Sequence, residues 1–490
     1  MEILFLLAAA LGVVWAAVVV VRLPLLLGAL AYLVAASCFG HPFLQLELAG
    51  VTLTLDRLVL VLLVVAAVVQ GRIRGWLPRP LGAAEWCLLA LLGWMAASFL
   101  WPQAPAPRDD EPPLHRYLQG YVIPAVLYFL GYHVPLSRRW LRHLAGFFLL
   151  FGAYLAWTAL AEHQGWFALV FPRYIADPSV GLHFGRARGP MVQSVSFGLY
   201  LGTCLLALVT LAWAWRRGWV RRAVVLLAPG VLFGIGATLT RSVWLGTAAA
   251  LGLVGWLRLP QRVRPWLLAG AAAGSLLLGT LFWEHLVAFQ REGSATLTRE
   301  STSMRAAFAY VSWRMFLDRP LLGVGFGRFP EAKMPYLADR SPDLRLETIR
   351  NFAHHNTYLS ILTETGLVGL SLYLALLVLW ARAAVRVIRL RRPDLPCADQ
   401  QVPLAPYGVF VLAVLVLYAV QGMFHEVSYT PLDHALVFLL AGLLRQVDRR
   451  THLPAQAPQH DSRAASPRHV PAQQRKPPAA VAVPPGGPHA

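Results

Sequence analysis

Apolar windows long enough to cross roughly 30 Å of hydrocarbon recur along this chain, each closed by a short polar link. They lie at about 3–21, 23–39, 55–70, 83–101, 118–134, 144–161, 192–215, 223–240, 242–257, 266–283, 355–380, 406–424 and 431–446. A backbone inside lipid must satisfy its hydrogen bonds internally, which for single runs of this length leaves the α-helix. The chain is therefore expected to be an all-α polytopic membrane protein with about twelve to thirteen transmembrane helices. With 57% hydrophobic and 14% charged residues over 490 positions, a soluble fold is excluded.

The net charge of +19 comes almost wholly from arginine, lysine occurring as Lys333 and Lys476. Arginines cluster at the ends of apolar runs: Arg72 and Arg74; Arg138, Arg139 and Arg142; Arg216, Arg217, Arg221 and Arg222; Arg258, Arg262 and Arg264; and Arg382 to Arg392. These fall on alternate connections, the bias of cytoplasmic loops, so the charge does not indicate nucleic acid. The outward connections are then 40–54, 102–117, 162–191, the turn Thr240-Arg241, 284–354 and 425–430. The N-terminus turns apolar at once and reads as a first span, not a removable signal. Cys38, Cys87, Cys204 and Cys397 are scattered and suggest neither a disulfide framework nor a metal site. A transmembrane domain over 1–450, including the outer loop 284–354, is followed by a Pro-, Ala-, Gln- and His-rich tail at 451–490, expected to be disordered and cytoplasmic. Within the outer loop, Met304, Ala307, Phe308, Val311, Met315 and Phe316 recur at helical spacing and predict an amphipathic helix. The following Gly323-Val324-Gly325-Phe326-Gly327 lacks the strand and Lys-Ser/Thr of a nucleotide loop and reads as a hinge.

Titratable groups at the edge of lipid are costly and mark function. In His354-His355-Asn356, just where a span begins, a neutral imidazole can accept a proton from a hydroxyl. His355 is the preferred base, with His354 open as an alternative and Asn356 as support. Glu364 lies nine residues on, about 2.5 helical turns, so it does not share a face with His355 and is expected to brace neighbouring helices. Arg186 and Arg188, before Gly189-Pro190, could grip a pyrophosphate through their planar forks, and the choice between them stays open. Arg241, alone in a short turn between two apolar runs, suits an anionic ligand, and Arg305 on the amphipathic helix is a further candidate. One base and several guanidinium groups suit attack of a hydroxyl on a sugar carbon with departure of a lipid-linked phosphate. No DxD pair or other metal ligand set is evident, so no metal and no cofactor is expected.

Four motifs in fixed order carry a resemblance: Arg186 to Pro190 before a span, Thr238 to Leu245 between two spans, Arg319 to Phe329 in the outer loop, and His355 to Gly369. Over roughly 180–380 the chain resembles the O-antigen ligase and O-antigen polymerase family. That resemblance implies a metal-independent, inverting glycosyltransferase of the inner membrane, with its site facing the periplasm. The donor would be an undecaprenyl-diphosphate-linked glycan. The acceptor would be lipid A core, a growing glycan or, in some relatives, a protein. The resemblance assigns His355 as the essential histidine, Arg241 as the mid-chain arginine and Arg186 as the arginine before Gly-Pro. The rival from another class is a polysaccharide or lipid transporter, in which the same arginines would line a path; the polar cluster at one face and the lack of internal repeats speak against it.

Overall fold

The computed structural model describes residues 17–450 apart from 19, 41–42, 44, 49–50, 77–78, 102–111, 137–138, 212–217, 267–268, 271–272, 274–294, 342–343 and 391–403. Most of the first expected span, most of the window at 266–283 and the tail at 451–490 lie outside these residues.

The fold is an all-α bundle: α1 (Leu25–Cys38), α2 (Leu55–Ile73), α3 (Ala83–Ala97), α4 (Ile123–His133), α5 (Trp140–His163), α6 (Ser194–Thr210), α7 (Gly218–Ala237), α8 (Arg241–Arg258), α9 (Ala295–Asp318), α10 (Thr357–Arg389), α11 (Ala405–Gly422) and α12 (Pro431–Arg450). Each expected window from 23–39 onward, except 266–283, holds one of them, and α9 is the amphipathic helix of the outer loop. Among the described residues, five helices are long and apolar enough to cross a membrane (α3 with its following turn, α5, α7, α10 and α11), while α1 and α6 are shorter apolar helices. Among the described residues, an antiparallel hairpin pairs Leu46–Leu48 with Val51–Leu53.

α6, α11 and α12 form the interior. Their side chains are buried on nearly every face, as Leu201, Leu417, Leu436 and Leu440 illustrate. Val61, Val65, Leu150, Val225, Leu226 and Val378 point outward from the peripheral helices, an apolar surface that suits hydrocarbon. Small residues allow the closest helix pair. A Cβ at Gly131 would lie 2.9 Å from the Leu439 carbonyl oxygen, and one at Gly442 would collide with the Tyr128 carbonyl, so α4 and α12 approach backbone to backbone.

The two ends of the bundle differ. At the end where α2, α8 and α10 finish in their arginine clusters, Glu85 accepts from Tyr128 Oη at 2.7 Å and pairs with Arg445 at 3.0 Å. Arg445 and Arg386 both hold Asp448, each at 2.6 Å. The opposite end carries the outer loop.

α10 is broken near that end. Gly366 has φ +68°, outside any helix, and a Cβ there would collide with the Leu321 carbonyl. In an unbroken helix the Leu367 N–H would serve the Thr363 carbonyl. Here Leu367 N–H donates to Pro320 O at 2.8 Å instead. The Thr363 and Glu364 carbonyls accept from Val324 N–H at 2.9 Å and Gly325 N–H at 2.8 Å. The glycine-rich turn, expected as a hinge, is thus a wedge seated in the helix break; Phe326 N–H is held by Ser98 Oγ at 3.0 Å.

Candidate active site

All the nominated residues lie at the outer-loop end. His355 directly precedes Asn356, which caps α10: its Oδ1 accepts from Leu359 N–H at 2.9 Å and its Nδ2 donates to Met423 O at 2.8 Å. The cap presents His355 as an exposed imidazole, edge-on to Phe308 of α9 with ring centroids 5.3 Å apart.

His354 has the opposite environment. It is 4% exposed, its Nε2 shares a 3.1 Å hydrogen bond with Thr363 Oγ1, and its ring lies 3.6 Å from that of Phe329. Burial pushes its pKa well below the ordinary imidazole value, and the positive charges of Arg116 and Lys333 act in the same sense. It is a neutral internal strut, which separates it from its exposed neighbour.

The two arginines before Gly189-Pro190 also separate. Arg188 is 1% exposed and donates to Val180 O at 2.5 Å, Ile175 O at 2.9 Å and Asp177 O at 2.6 Å. Its guanidinium stacks 4.7 Å from Phe184, and its backbone N–H and that of Gly189 are held by Glu162 Oε2 at 3.1 and 2.8 Å. Three of its five N–H donors are thus spent on carbonyls that close its own loop. Arg186 is only half-buried. Next to it, Ala187 N–H donates to Ala237 O at 3.0 Å, tying this loop to the end of α7, four residues before Arg241.

Arg241 is the exposed first residue of α8. Its neighbour Ser242 shares a 3.0 Å hydrogen bond with His425 Nε2, in the α11–α12 connection. The guanidinium of Arg305, exposed on α9, lies 6.0 Å from the ring of Phe424 in the same connection. Residues 423–425 therefore touch the elements that carry His355, Arg241 and Arg305.

Glu364 pairs with a residue that sequence reading missed. Arg116 Nη1 donates to both Glu364 oxygens, at 2.8 and 3.0 Å. Nη2 reaches Ser360 Oγ at 3.0 Å and Nε reaches Ser428 Oγ at 2.8 Å, with Glu426 at 3.4 Å. The guanidinium is sandwiched between Phe326 and Tyr429, at 4.8 and 4.5 Å. Glu364 thus braces the wedge, α10 and the α11–α12 connection around one buried cation. The signal available for Arg116 and His425 was the one used for His355, a charged or imidazole side chain at the mouth of a span. Among the described residues no group of three His, Cys, Asp or Glu side chains converges as metal ligands would.

Residues 227–374 match the family model described as O-Antigen ligase. The chain carries an O-antigen ligase family domain. A search of curated proteins returns no match. The O-antigen ligase segment runs from within α7 into α10 and so takes in Arg241, the outer loop, His355 and Glu364. Arg186, Arg188 and the connection at 423–430 lie outside it. The match supports a glycan-transferring membrane enzyme of the ligase and polymerase kind.

Proposed function

We propose that this protein transfers a glycan from an undecaprenyl-diphosphate carrier to a hydroxyl acceptor at the periplasmic face of the bacterial inner membrane. The observation that carries the reading is a chain of contacts: Ala187 to Ala237, Ser242 to His425, Arg305 to Phe424 and Asn356 to Met423. These contacts join the elements that carry Arg186, Arg241, Arg305 and His355, which supports a common site at one end of the bundle. That end lies opposite the arginine clusters closing α2, α8 and α10, which supports the outward orientation.

In this reading the acceptor oxygen attacks the anomeric carbon from the face opposite the carrier, and His355 takes its proton. The carbon–oxygen bond to the diphosphate breaks, the electron pair leaves with the phosphate, and configuration inverts. Arg241, together with Arg186 and Arg305, meets the charge that develops on the leaving group. Planar forks carrying a delocalised cation suit that task. Arg188 keeps a role in building the loop.

Purified protein incubated with an undecaprenyl-diphosphate glycan and separate acceptors (lipid A core, a second lipid-linked glycan, a protein) tests the reading by product mass. Transfer is expected to persist in chelator and to collapse in folded His355→Ala and Arg241→Ala. Full activity in His355→Ala, or an absolute need for added divalent metal, would overturn the mechanism. The acceptor that yields product distinguishes ligase from polymerase.

A further inference from the structure

The α11–α12 connection supplies one residue that links the two halves of the proposed site. His425 binds α10 through its backbone: its carbonyl accepts from Thr357 Oγ1 at 2.8 Å, and the same hydroxyl accepts from Val427 N–H at 3.0 Å. Thr357 is two residues beyond His355. The side chain of His425 points the other way, its Nε2 lying 3.0 Å from Ser242 Oγ, one residue beyond Arg241. The connection itself is anchored independently, by Asn356 on Met423 O and by Arg116 on Ser428 Oγ. Ser242 is buried in the first turn of α8, so the bond to its hydroxyl ties that turn to the connection.

We propose that His425 is a positioning residue of the transfer site, holding Arg241 through Ser242 at a set distance from His355. This rests on the reading of His355 and Arg241 given above and adds a third member that acts on neither donor nor acceptor directly. Displacing a charge-stabilising group by about 1 Å relative to a base costs on the order of a hundredfold in rate. A group that sets that distance acts on turnover more than on binding.

The test uses the full-length protein in detergent or nanodiscs with the undecaprenyl-diphosphate glycan and whichever acceptor the wild type uses. His425→Ala is expected to lower kcat by about 10- to 100-fold with KM for the donor changed by less than about threefold. His425→Gln, which keeps a polar group for Ser242, should recover most of that loss. Ser242→Ala should reproduce His425→Ala, and the double variant should be no worse than either single one, because both remove the same bond. Unchanged kcat in His425→Ala, a loss confined to KM, or additive effects of the two substitutions would each overturn the proposal. If His425→Ala does not fold, Ser242→Ala alone reads the same bond with a smaller change: a fall in kcat supports the proposal and wild-type kcat overturns it. Activity surviving in His355→Ala would instead sink the underlying reading, so the two failures are distinct.

Discussion

Arg188 gives its guanidinium to three carbonyls of the loop it closes, whereas Arg186, two positions earlier, is half-buried beside the end of α7. Replacing Arg188 by Lys leaves carbonyls of that loop without donors, and hydrogen bonds to charged groups contribute about 1.5–3 kcal/mol each. Arg188→Lys should therefore lower the thermal midpoint of the purified protein. Arg186→Ala should reduce glycan transfer by on the order of a hundredfold. The opposite pattern, a stable Arg188→Lys and an unstable but active Arg186→Ala, would reverse the assignment. The two histidines separate in the same way. His354 has its folded pKa pushed below its unfolded value of about 6.5, so the unfolded chain binds the extra proton. The stability it contributes is complete above about pH 6.5 and declines as the pH falls below that value, by at most about 1.4 kcal/mol per pH unit. Thermal unfolding at pH 7.5 and 5.5 should show a larger difference in wild type than in His354→Phe; equal differences would mean that His354 titrates freely. Which of each pair would face inward could not be read from the chain, because His354-His355 and Arg186-x-Arg188 look equivalent until the folding of the loop around them is known. Arg116 shows the same limit at long range, its carboxylate lying 248 positions away.

At the scale of elements, hydropathy made nearly every described span legible, since lipid imposes one structural solution on a long apolar run. The helix over 303–317 was legible from its period alone, and the structure extends it to Ala295–Asp318. The break in α10 was not legible: Glu364-Thr365-Gly366 sits within an apolar pattern that continues on both sides, and what stops the helix is a wedge from another segment. Gly366→Ala tests that packing. A left-handed backbone costs a non-glycine residue about 1–3 kcal/mol, to which the collision with the Leu321 carbonyl adds. The variant should lose at least that much stability, seen as a lower thermal midpoint. It should also expose the Val324 and Gly325 amides to hydrogen exchange. Wild-type protection at those two amides would show that wedge and break are independent.

For the whole molecule, polar networks mark both ends of an apolar bundle and set its depth. At the end remote from the proposed site, Glu85, Arg445, Asp448 and Arg386 join α3, α10 and α12. Glu85 is fully buried, so removing its partner strands a charge in a low-dielectric interior. Arg445→Met should destabilise the protein by about 3–5 kcal/mol, and adding Glu85→Gln should restore a substantial part of that loss. Denaturant or thermal titration of both variants decides it; a double variant no better than the single one would show that the pair does not carry the effect. The family segment at 227–374 contains neither this network nor the connection holding His425.

The seating of Gly323–Gly327 in the break of α10 also limits how such proteins can diverge. A hybrid that borrowed its outer loop from a relative would import amide donors shaped for a different interruption, leaving the carbonyls of Thr363 and Glu364 to face apolar surroundings unmet. Loop and upper helix are therefore exchangeable as a unit, with crossovers placed before Pro320 and after Leu367. Crossovers between those points should yield protein that is cleared by the cell before it can act.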